Sequence, residues 1–208
     1  TRLQDRCEEL NVPCVAVLDP ILRSLSSYLG LHAKGVPGLQ HAMDDAYFRR
    51  VAAIDYTMRH DDGKHLDDLR EADIILVGVS RTSKTPTSVF LARRGMKGAN
   101  LPLVPAVTVP EEKLTLKGPM YVGLTASPDR LVHIRRSRLK ADGLDAKALA
   151  ENAYLAQERI EEEVKAARKL FSRHGWPVID VTKRSIEETS AEIMAIYQSW
   201  QDESNAAK

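Results

Sequence analysis

An apolar strand, a short polar turn and the start of a helix follow one another directly in residues 73–91. Ile74 to Val77 predict a buried strand, and Gly78 to Thr85 match the spacing G-x-x-x-x-[G]-K-[ST], with Ser83 in place of the second glycine. A loop that runs from a strand into a helix directs backbone N–H groups and the positive end of the helix dipole to one point. This arrangement predicts a phosphate-binding loop.

Strands and helices alternate along the rest of the chain, which predicts an α/β fold: a mostly parallel sheet flanked by helices, similar to P-loop kinases. The predicted strands are residues 13–18, 74–77, 101–104, 120–124 and 176–181. The predicted helices are residues 21–31, 41–59, 85–94, 129–139, 145–171 and a last one capped by Ser185, while residues 105–118 predict an irregular connection. In the second helix, the apolar residues that recur at helical spacing predict the buried face: Met43, Tyr47, Val51, Ile54 and Met58.

Composition limits the function classes that the chain can belong to. Its 208 residues are 43% hydrophobic and 28% charged, which is enough for a normal core. A formal net charge of +1 gives no global field for nucleic acid, and no apolar run approaches the roughly 18 residues of a membrane span. The two cysteines, Cys7 and Cys14, predict reduced thiols rather than a disulfide framework or a zinc site. We therefore expect a cytoplasmic protein that binds neither nucleic acid nor membranes.

The residues of the loop suit phosphate chemistry. Lys84 can reach terminal phosphoryl oxygens, Arg81 adds a second cation, and the Thr85 hydroxyl can bind Mg²⁺. The remaining positions supply backbone or hydroxyl donors: Gly78, Val79, Ser80, Thr82 and Ser83. Gly78 would allow a sharp turn beneath a phosphate, whereas Ser83 would carry strain if its φ were positive. The alternative interpretation is a polar strand-to-helix turn with an N-cap.

Two adjacent carboxylates in the segment His60-Asp61-Asp62-Gly63 form a second candidate site. Asp61 and Asp62 follow the C-terminal end of a predicted helix, where negative charge is unfavourable. A local cost without a local gain indicates another purpose, such as metal binding or transfer of a proton. The alternative is a solvated helix end that Gly63 caps.

Four arginines crowd the predicted helix 129–139 and form a third candidate. Arginine binds phosphate groups through two parallel hydrogen bonds, so Arg130 and Arg135 are candidate phosphate ligands, with Arg136 and Arg138 beside them. The alternative is a basic face in contact with solvent.

Together these motifs resemble the pyruvate, phosphate dikinase regulatory protein family, whose close relatives regulate phosphoenolpyruvate synthase. The resemblance extends over nearly the whole chain and rests on residues 60–63, 78–88, 99–104, 122–125 and 179–189. The Ser-Lys-Thr form of the loop looks more like the dikinase branch. Family members usually begin with a further segment, so we expect residues 1–40 to be the remainder of an N-terminal domain. Residues 41–200 would then be the P-loop kinase/phosphorylase domain, and residues 201–208 a frayed tail.

The resemblance implies a bifunctional enzyme. It would phosphorylate a threonine of pyruvate, phosphate dikinase with ADP as the donor, and only when the neighbouring catalytic histidine of that enzyme is phosphorylated. It would also remove the phosphate from the threonine, with inorganic phosphate as acceptor and pyrophosphate as product. The loop would hold the nucleotide with Mg²⁺ at Thr85, and Asp61 or Asp62, next to His60, would accept the proton of the target threonine. Lys84 would stabilise the transferred charge, and the family analogy suggests a homodimer.

Three other functions stay open on the sequence. The same chemistry could act on phosphoenolpyruvate synthase. A small-molecule P-loop kinase or GTPase would need a further strand that ends in a metal-binding aspartate, for which Asp180 is a partial candidate. A non-catalytic nucleotide-binding module would hold phosphate in the loop, but it would not need the carboxylates of residues 60–63.

Overall fold

The computed structural model describes residues 2–15, 17–30, 44–104, 109–143 and 156–206. Two compact units divide the chain, Thr1–Ala42 and Met43–Lys208. The first unit contains helices α1 (Arg2–Glu9) and α2 (Leu18–Leu29). The helix prediction for residues 21–31 is confirmed by α2. The strand prediction for residues 13–18 is wrong, because residues 12–15 are irregular and Leu18 already belongs to α2.

The second unit contains the sheet and the remaining described helices. Its strands are β1 (Ile74–Val79), β2 (Gly98–Leu103), β3 (Met120–Thr125) and β4 (Val178–Asp180). Its helices are α3 (Asp45–Arg59), α4 (Lys84–Ala92), α5 (Glu111–Leu114), α6 (Pro128–Ala141), α7 (Gln157–His174) and α8 (Ile186–Ala206). Two short 3₁₀ turns, Asp61–Gly63 and Leu66–Glu71, connect α3 to β1.

All strand pairs of the described sheet are parallel, in the order β2-β1-β3-β4. Successive side chains of β1 point to opposite faces, as the pleat requires. Ile74 and Leu76 join a core cluster that contains Leu91 of α4. Ile75 and Val77 join another that contains Phe171 of α7. The prediction of an α/β fold with a parallel sheet between helices is confirmed.

The buried face of α3 differs from the predicted one. The side chains of Tyr47, Val51 and Met58 are exposed, whereas those of Ala53, Tyr56 and Thr57 are buried. Thr57 Oγ1 accepts a hydrogen bond of 3.0 Å from the backbone N–H of Gly98, which fixes this polar face against β2. Met43 lies outside the described residues. Periodicity shows that a helix has an apolar stripe, but the neighbouring strand decides which face is covered.

The C-terminal part of the structure agrees more closely with the sequence-based predictions. Ser185 and Glu188 form the predicted capping box, with hydrogen bonds of 2.8 and 3.1 Å between each backbone N–H and the other side chain. α8 then continues to Ala206, through most of the segment 201–208 that the sequence predicts to be a frayed tail. The predicted helix 145–171 is described only from Gln157 onward, as α7, and the predicted irregular connection contains the short α5. None of the described helices is long and apolar enough to cross a membrane.

Gly123 in β3 gives a test of the packing between sheet and helix. A Cβ atom added at this position would lie 2.6 Å from the Phe171 ring of α7. We expect Gly123→Ala to lower the free energy of unfolding by about 1–3 kcal/mol, because the ring has to move out of a close-packed core. Urea unfolding measures the change.

The matched control for Gly123→Ala is its combination with Phe171→Leu. A smaller side chain at position 171 makes room for the added methyl group, so the double variant should lose less stability than the sum of the single changes. Simple additivity would contradict a steric conflict between these two residues.

Candidate active site

The loop between β1 and α4 has a backbone that suits anion binding. β1 ends at Val79 and α4 begins at Lys84. Arg81 and Ser83 have positive φ values of 74° and 59°, and they flank Thr82. Such alternation of backbone handedness turns successive N–H groups toward one side, where they surround an anion. Ser83 therefore adopts the conformation that a glycine would adopt without strain.

Gly78 has a different role from the one that the sequence predicts. It lies within β1, and its φ is not among the positive values found in the described chain. A Cβ atom at this position would lie 2.5 Å from the carbonyl oxygen of Leu124 in β3 and 2.8 Å from Thr82 Oγ1. Gly78 is thus required by the close approach of the neighbouring strand and of the loop, not by a turn.

Lys84 folds back over the loop. Its Nζ donates hydrogen bonds of 2.8 and 2.9 Å to the carbonyl oxygens of Gly78 and Val79, and the residue is only 6% exposed. Burial lowers the pKa of Lys84 to about 8, against the opposing effect of the carboxylates of Asp62 and Asp61. A buried ammonium group whose neighbours are carbonyls and carboxylates is well placed to bind phosphate oxygens.

The carboxylate-rich turn and the phosphate-loop candidate meet in space, where Asp61 contacts Thr85, 24 residues further along the chain. Thr85 Oγ1 donates a hydrogen bond of 2.9 Å to Asp61 Oδ1. Asp62 has a φ of 54°, a left-handed conformation that aspartate tolerates better than most residues. Its side chain is exposed and lines the same cleft as the loop. Two of the predicted sites therefore form one.

The shared cleft has a volume of about 590 Å³ and is open to solvent on one side. This volume lies in the ordinary range for small-molecule sites. The polar lining comes from the loop and the turn, and Val104 and Ile134 are the larger apolar groups. The predicted site residues in this lining are Asp62, Ser80, Arg81, Ser83, Lys84 and Thr85.

His60 lies beside the cleft but not in it. Its ring is fully buried and stacks on Tyr56 at a centroid distance of 3.8 Å. Nδ1 contacts the carbonyl oxygen of Tyr56 at 2.7 Å, and Nε2 contacts Asp68 Oδ1 at 2.8 Å. The hydrogen bond from His60 lowers the pKa of Asp68. These contacts fix the end of α3, from which Asp61 and Asp62 project.

The two candidate arginines of α6 also lie outside the cleft lining. Arg135 is fully buried; its Nη2 donates to Glu163 at 2.6 Å and to the carbonyl oxygen of Ser80 at 3.4 Å. It therefore supports the loop from behind. Arg130 is exposed on the surface of α6. Val79 and Thr82 are buried within the loop and its strand, and Thr82 Oγ1 donates to the Val79 carbonyl.

Asn100 in β2 is a site residue that pattern reasoning misses. It is 1% exposed, and its Nδ2 donates to Asp61 Oδ1 and, at 3.1 Å, to Ser88 Oγ of α4. In the sequence, Asn100 is marked only as a single amide within an otherwise apolar strand, and it belongs to no recognised motif. Asn100 therefore connects the turn after α3, strand β2 and helix α4.

The oxygen atoms at this junction suit a hard cation. Thr85 Oγ1 and the Asp61 carboxylate lie within hydrogen-bond distance of each other at the edge of the cleft. Hydroxyl and carboxylate oxygens are the ligands that Mg²⁺ prefers. Across the described ranges there is no cluster of three or more His, Cys, Asp or Glu side chains that could hold a metal ion.

Replacement of Lys84 should stabilise the protein in the absence of phosphate. Below pH 8 the folded and unfolded chains both hold the Lys84 proton, so the folded state carries the full cost of a buried charge. We expect Lys84→Met to raise the free energy of unfolding at pH 7 by about 1–3 kcal/mol. Above pH 8 the folded protein loses this proton while the unfolded chain retains it up to its ordinary pKa, so the advantage of the variant should shrink. Urea unfolding at pH 7 and pH 9.5 measures both effects.

Lys117→Met, at an exposed lysine, is the control for that comparison. A stability change that is the same at both pH values, or a loss of stability at pH 7, would contradict a buried charge at Lys84.

Ser83 gives a separate test of the loop backbone. A left-handed conformation costs a non-glycine residue about 1–2 kcal/mol, and glycine loses part of this gain through its freedom in the unfolded chain. We expect Ser83→Gly to raise the free energy of unfolding by about 0.5–1 kcal/mol, as measured by urea unfolding. Ser83→Ala removes the same hydroxyl without relieving the backbone, so an equal gain in that variant would contradict this explanation.

Comparison with known proteins places the chain in a family. The sequence model of the kinase/pyrophosphorylase family matches residues 1–194. Three curated relatives carry the provisional name pyruvate, phosphate dikinase regulatory protein. That of Rhizorhabdus wittichii is 54% identical over 93% of this chain and 69% of its own length. That of Erythrobacter litoralis is 52% identical, over 94% and 69%. That of Bradyrhizobium diazoefficiens is 47% identical, over 95% and 70%. The chain therefore belongs to the kinase/pyrophosphorylase family.

Proposed function

We propose that this chain is a bifunctional regulator of pyruvate, phosphate dikinase. It would phosphorylate a threonine of that enzyme with ADP as the donor, and remove the phosphate with inorganic phosphate as the acceptor. The observation that carries the proposal is the hydrogen bond between Thr85 and Asp61, because it joins a phosphate-binding loop to a pair of carboxylates. The names of the relatives support the choice of target.

The loop accounts for binding of the transferred phosphoryl group. The N–H groups between Ser80 and Lys84 and the start of α4 provide a cradle for an anion. Lys84 can exchange its carbonyl partners for phosphate oxygens, and Arg81, exposed at the rim, adds a second positive charge. Such groups are most effective in phosphoryl transfer, where catalysis depends on position and charge.

The carboxylates of the turn provide an acceptor for the proton of the target threonine. In the kinase direction the threonine oxygen forms a bond to the β-phosphorus of ADP while the bond to the bridging oxygen breaks, so that AMP leaves. The threonine hydroxyl loses its proton, and a carboxylate of the turn, Asp61 or Asp62, accepts it. Asp62 lines the same cleft as Lys84, which supports this assignment.

The same groups serve the reverse reaction. An oxygen of inorganic phosphate forms a bond to the phosphorus of phosphothreonine while the bond to the threonine oxygen breaks, and pyrophosphate forms. The carboxylate takes the proton of the incoming phosphate, and the threonine oxygen gains a proton as it leaves. Both directions are in-line transfers between oxygen atoms, so one cleft is sufficient.

Thr85 and Asp61 would hold Mg²⁺ with the phosphates. When bound, this ion would supply positive charge that offsets the charge of the phosphoryl oxygens. Arg135 and Glu163 would keep the Ser80 carbonyl in place behind the loop.

A non-catalytic nucleotide-binding module is the alternative. Such a module needs the loop, but it gains nothing from an exposed carboxylate in the cleft, which repels phosphate. The position of Asp62 therefore favours an enzyme. Phosphoenolpyruvate synthase as the target and a homodimer as the assembly stay proposals of the sequence resemblance.

A direct assay of both activities tests the proposal. The chain is incubated with dikinase phosphorylated on its catalytic histidine and with ADP labelled at the β-phosphate, and phosphothreonine is measured. In a second assay, threonine-phosphorylated dikinase and inorganic phosphate are supplied, and pyrophosphate is measured. We expect Lys84→Ala to lower both rates by about 10²–10³-fold and Asp62→Asn by about 10²–10⁴-fold.

The controls remove the same charges elsewhere. Lys117→Ala and Asp67→Asn act on exposed side chains outside the cleft lining and should leave both rates unchanged. If the unaltered protein transfers no phosphate in either assay, the proposed function is wrong. If it transfers phosphate and Lys84→Ala does so equally well, the site assignment is wrong.

A further inference from the structure

The side-chain amide of Asn100 connects two segments that flank the phosphate loop. One N–H of Nδ2 donates to Asp61 Oδ1 in the turn after α3, and the other donates to Ser88 Oγ in α4. Ser88 Oγ in turn donates to the carbonyl oxygen of Thr85 at 2.9 Å. Because Asn100 is buried in β2, which pairs with β1, the turn and the helix are both fixed to the same strand.

The backbone of Asn100 holds the same turn. Its N–H donates a hydrogen bond of 3.0 Å to the carbonyl oxygen of His60, the residue that precedes Asp61. Backbone and side chain of one strand residue therefore fix two successive residues of the turn. Gly63, two residues after Asp61, packs against Pro102 of the same strand, where an added Cβ would lie 3.2 Å from Pro102 Cδ.

These contacts give the two carboxylates different environments. Asp61 Oδ1 accepts from Thr85 Oγ1 as well as from Asn100, so this oxygen already has two donors. Asp62 has no hydrogen bond within the described part of the chain, and its side chain is exposed in the cleft. Asp61 is therefore engaged by two donors of the protein, whereas the carboxylate of Asp62 is open to a hydroxyl group in the cleft.

We infer that Asn100 is a positioning residue that commits Asp61 to orienting the Thr85 hydroxyl and leaves Asp62 as the carboxylate that accepts the proton. This inference rests on the proposed function and assigns separate tasks to its two aspartates. When Thr85 donates its hydrogen to Asp61, the lone pairs of its oxygen are available to the phosphate-bound cation. Position 100 requires an amide because Asp61 Oδ1 accepts a hydrogen bond, so the side chain at position 100 has to donate one.

The first experiment compares Asn100→Ala with Ser88→Ala in the assay of phosphothreonine formation, together with ADP binding by calorimetry with and without Mg²⁺. Asn100→Ala removes the donor to Asp61, and we expect kcat to fall about 10–100-fold because the Thr85 hydroxyl is no longer oriented. Mg²⁺ should strengthen ADP binding less in this variant than in the unaltered protein, while binding without Mg²⁺ stays the same. Ser88→Ala removes the other partner of the amide and the hydrogen bond to the Thr85 carbonyl, but it keeps the donor to Asp61 and should change kcat by less than about threefold.

Three results would overturn the inference. The first is a folded Asn100→Ala protein with unaltered kcat and unaltered Mg²⁺ dependence. The second is an equal loss in Ser88→Ala, which would reduce the amide to a packing role. The third is a loss of kcat in Asp61→Asn as large as that in Asp62→Asn, with the Mg²⁺ dependence of ADP binding retained, since Asp61 would then be the proton acceptor.

A reversal of donor and acceptor separates positioning from stability. Asn100→Asp alone places two carboxylates together and should lower the melting temperature. Its combination with Asp61→Asn restores a donor and an acceptor in opposite order, so the melting temperature should recover. Activity should not recover, because the carboxylate that orients Thr85 is absent. Full recovery of activity would contradict the role given to Asp61.

The inference can fail independently of the proposed function. If the unaltered protein transfers no phosphate to the dikinase, the proposed function fails, but the coupling of Asn100 to Asp61 is still measurable. Urea unfolding of Asn100→Ala, Asp61→Asn and the double variant then forms a double-mutant cycle. Non-additive losses together with a reduced effect of Mg²⁺ on ADP binding support the positioning role, and additive losses overturn it.

Discussion

The contacts of Asp61 Oδ1 are the point on which the geometry of the site depends. This oxygen accepts hydrogen bonds from Thr85 in α4 and from Asn100 in β2, and Asp61 itself lies in the turn after α3. Three segments that are distant in sequence therefore share one acceptor atom. Without it, the turn would keep its backbone hydrogen bond to Asn100, but it would lose its hydrogen bond to Thr85 at the start of α4.

The parts of the fold that depend on neighbouring residues could be predicted from the sequence. The succession of strand, turn and helix around Gly78–Thr85 and the capping box at Ser185 depend on neighbouring residues, so their patterns were sufficient. The apolar spacing in α3 predicts the wrong face as buried, because periodicity does not say which side the sheet will cover. The apolar run at residues 13–18 looked like a strand, although an isolated run of that length has no partner to specify its pairing.

The site was predicted in part for the same reason. The loop and the pair Asp61–Asp62 are separate motifs in the sequence, and only the fold shows that they meet. Asn100 has no motif, and the contact between His60 and Asp68 crosses two 3₁₀ turns whose geometry no pattern describes. Arg135 looked like a phosphate ligand by composition, but its burial beside Glu163 depends on the packing of α6 against α7.

Several residues in or next to the cleft have unfavourable conformations or environments. Lys84 and Arg135 are charged side chains in the interior, and Arg81, Ser83 and Asp62 have left-handed backbones. Each of these features destabilises the folded chain by itself, and elsewhere in the described core most of the buried side chains are apolar. Such a concentration of unfavourable features is typical of a functional site, where the bound ligand offsets them.

The close approach at Gly78 also sets an order of events during synthesis of the chain. The space beside Gly78 is filled by the Leu124 carbonyl of β3 and by the Thr82 hydroxyl, so the loop takes its final shape against a strand that lies more than forty residues further along. A parallel pair cannot form until the connecting segment has been made and closed. A growing chain that has reached α4 contains every residue of the loop, but we expect it to acquire an ordered phosphate cradle only after β3 has left the ribosome and joined the sheet.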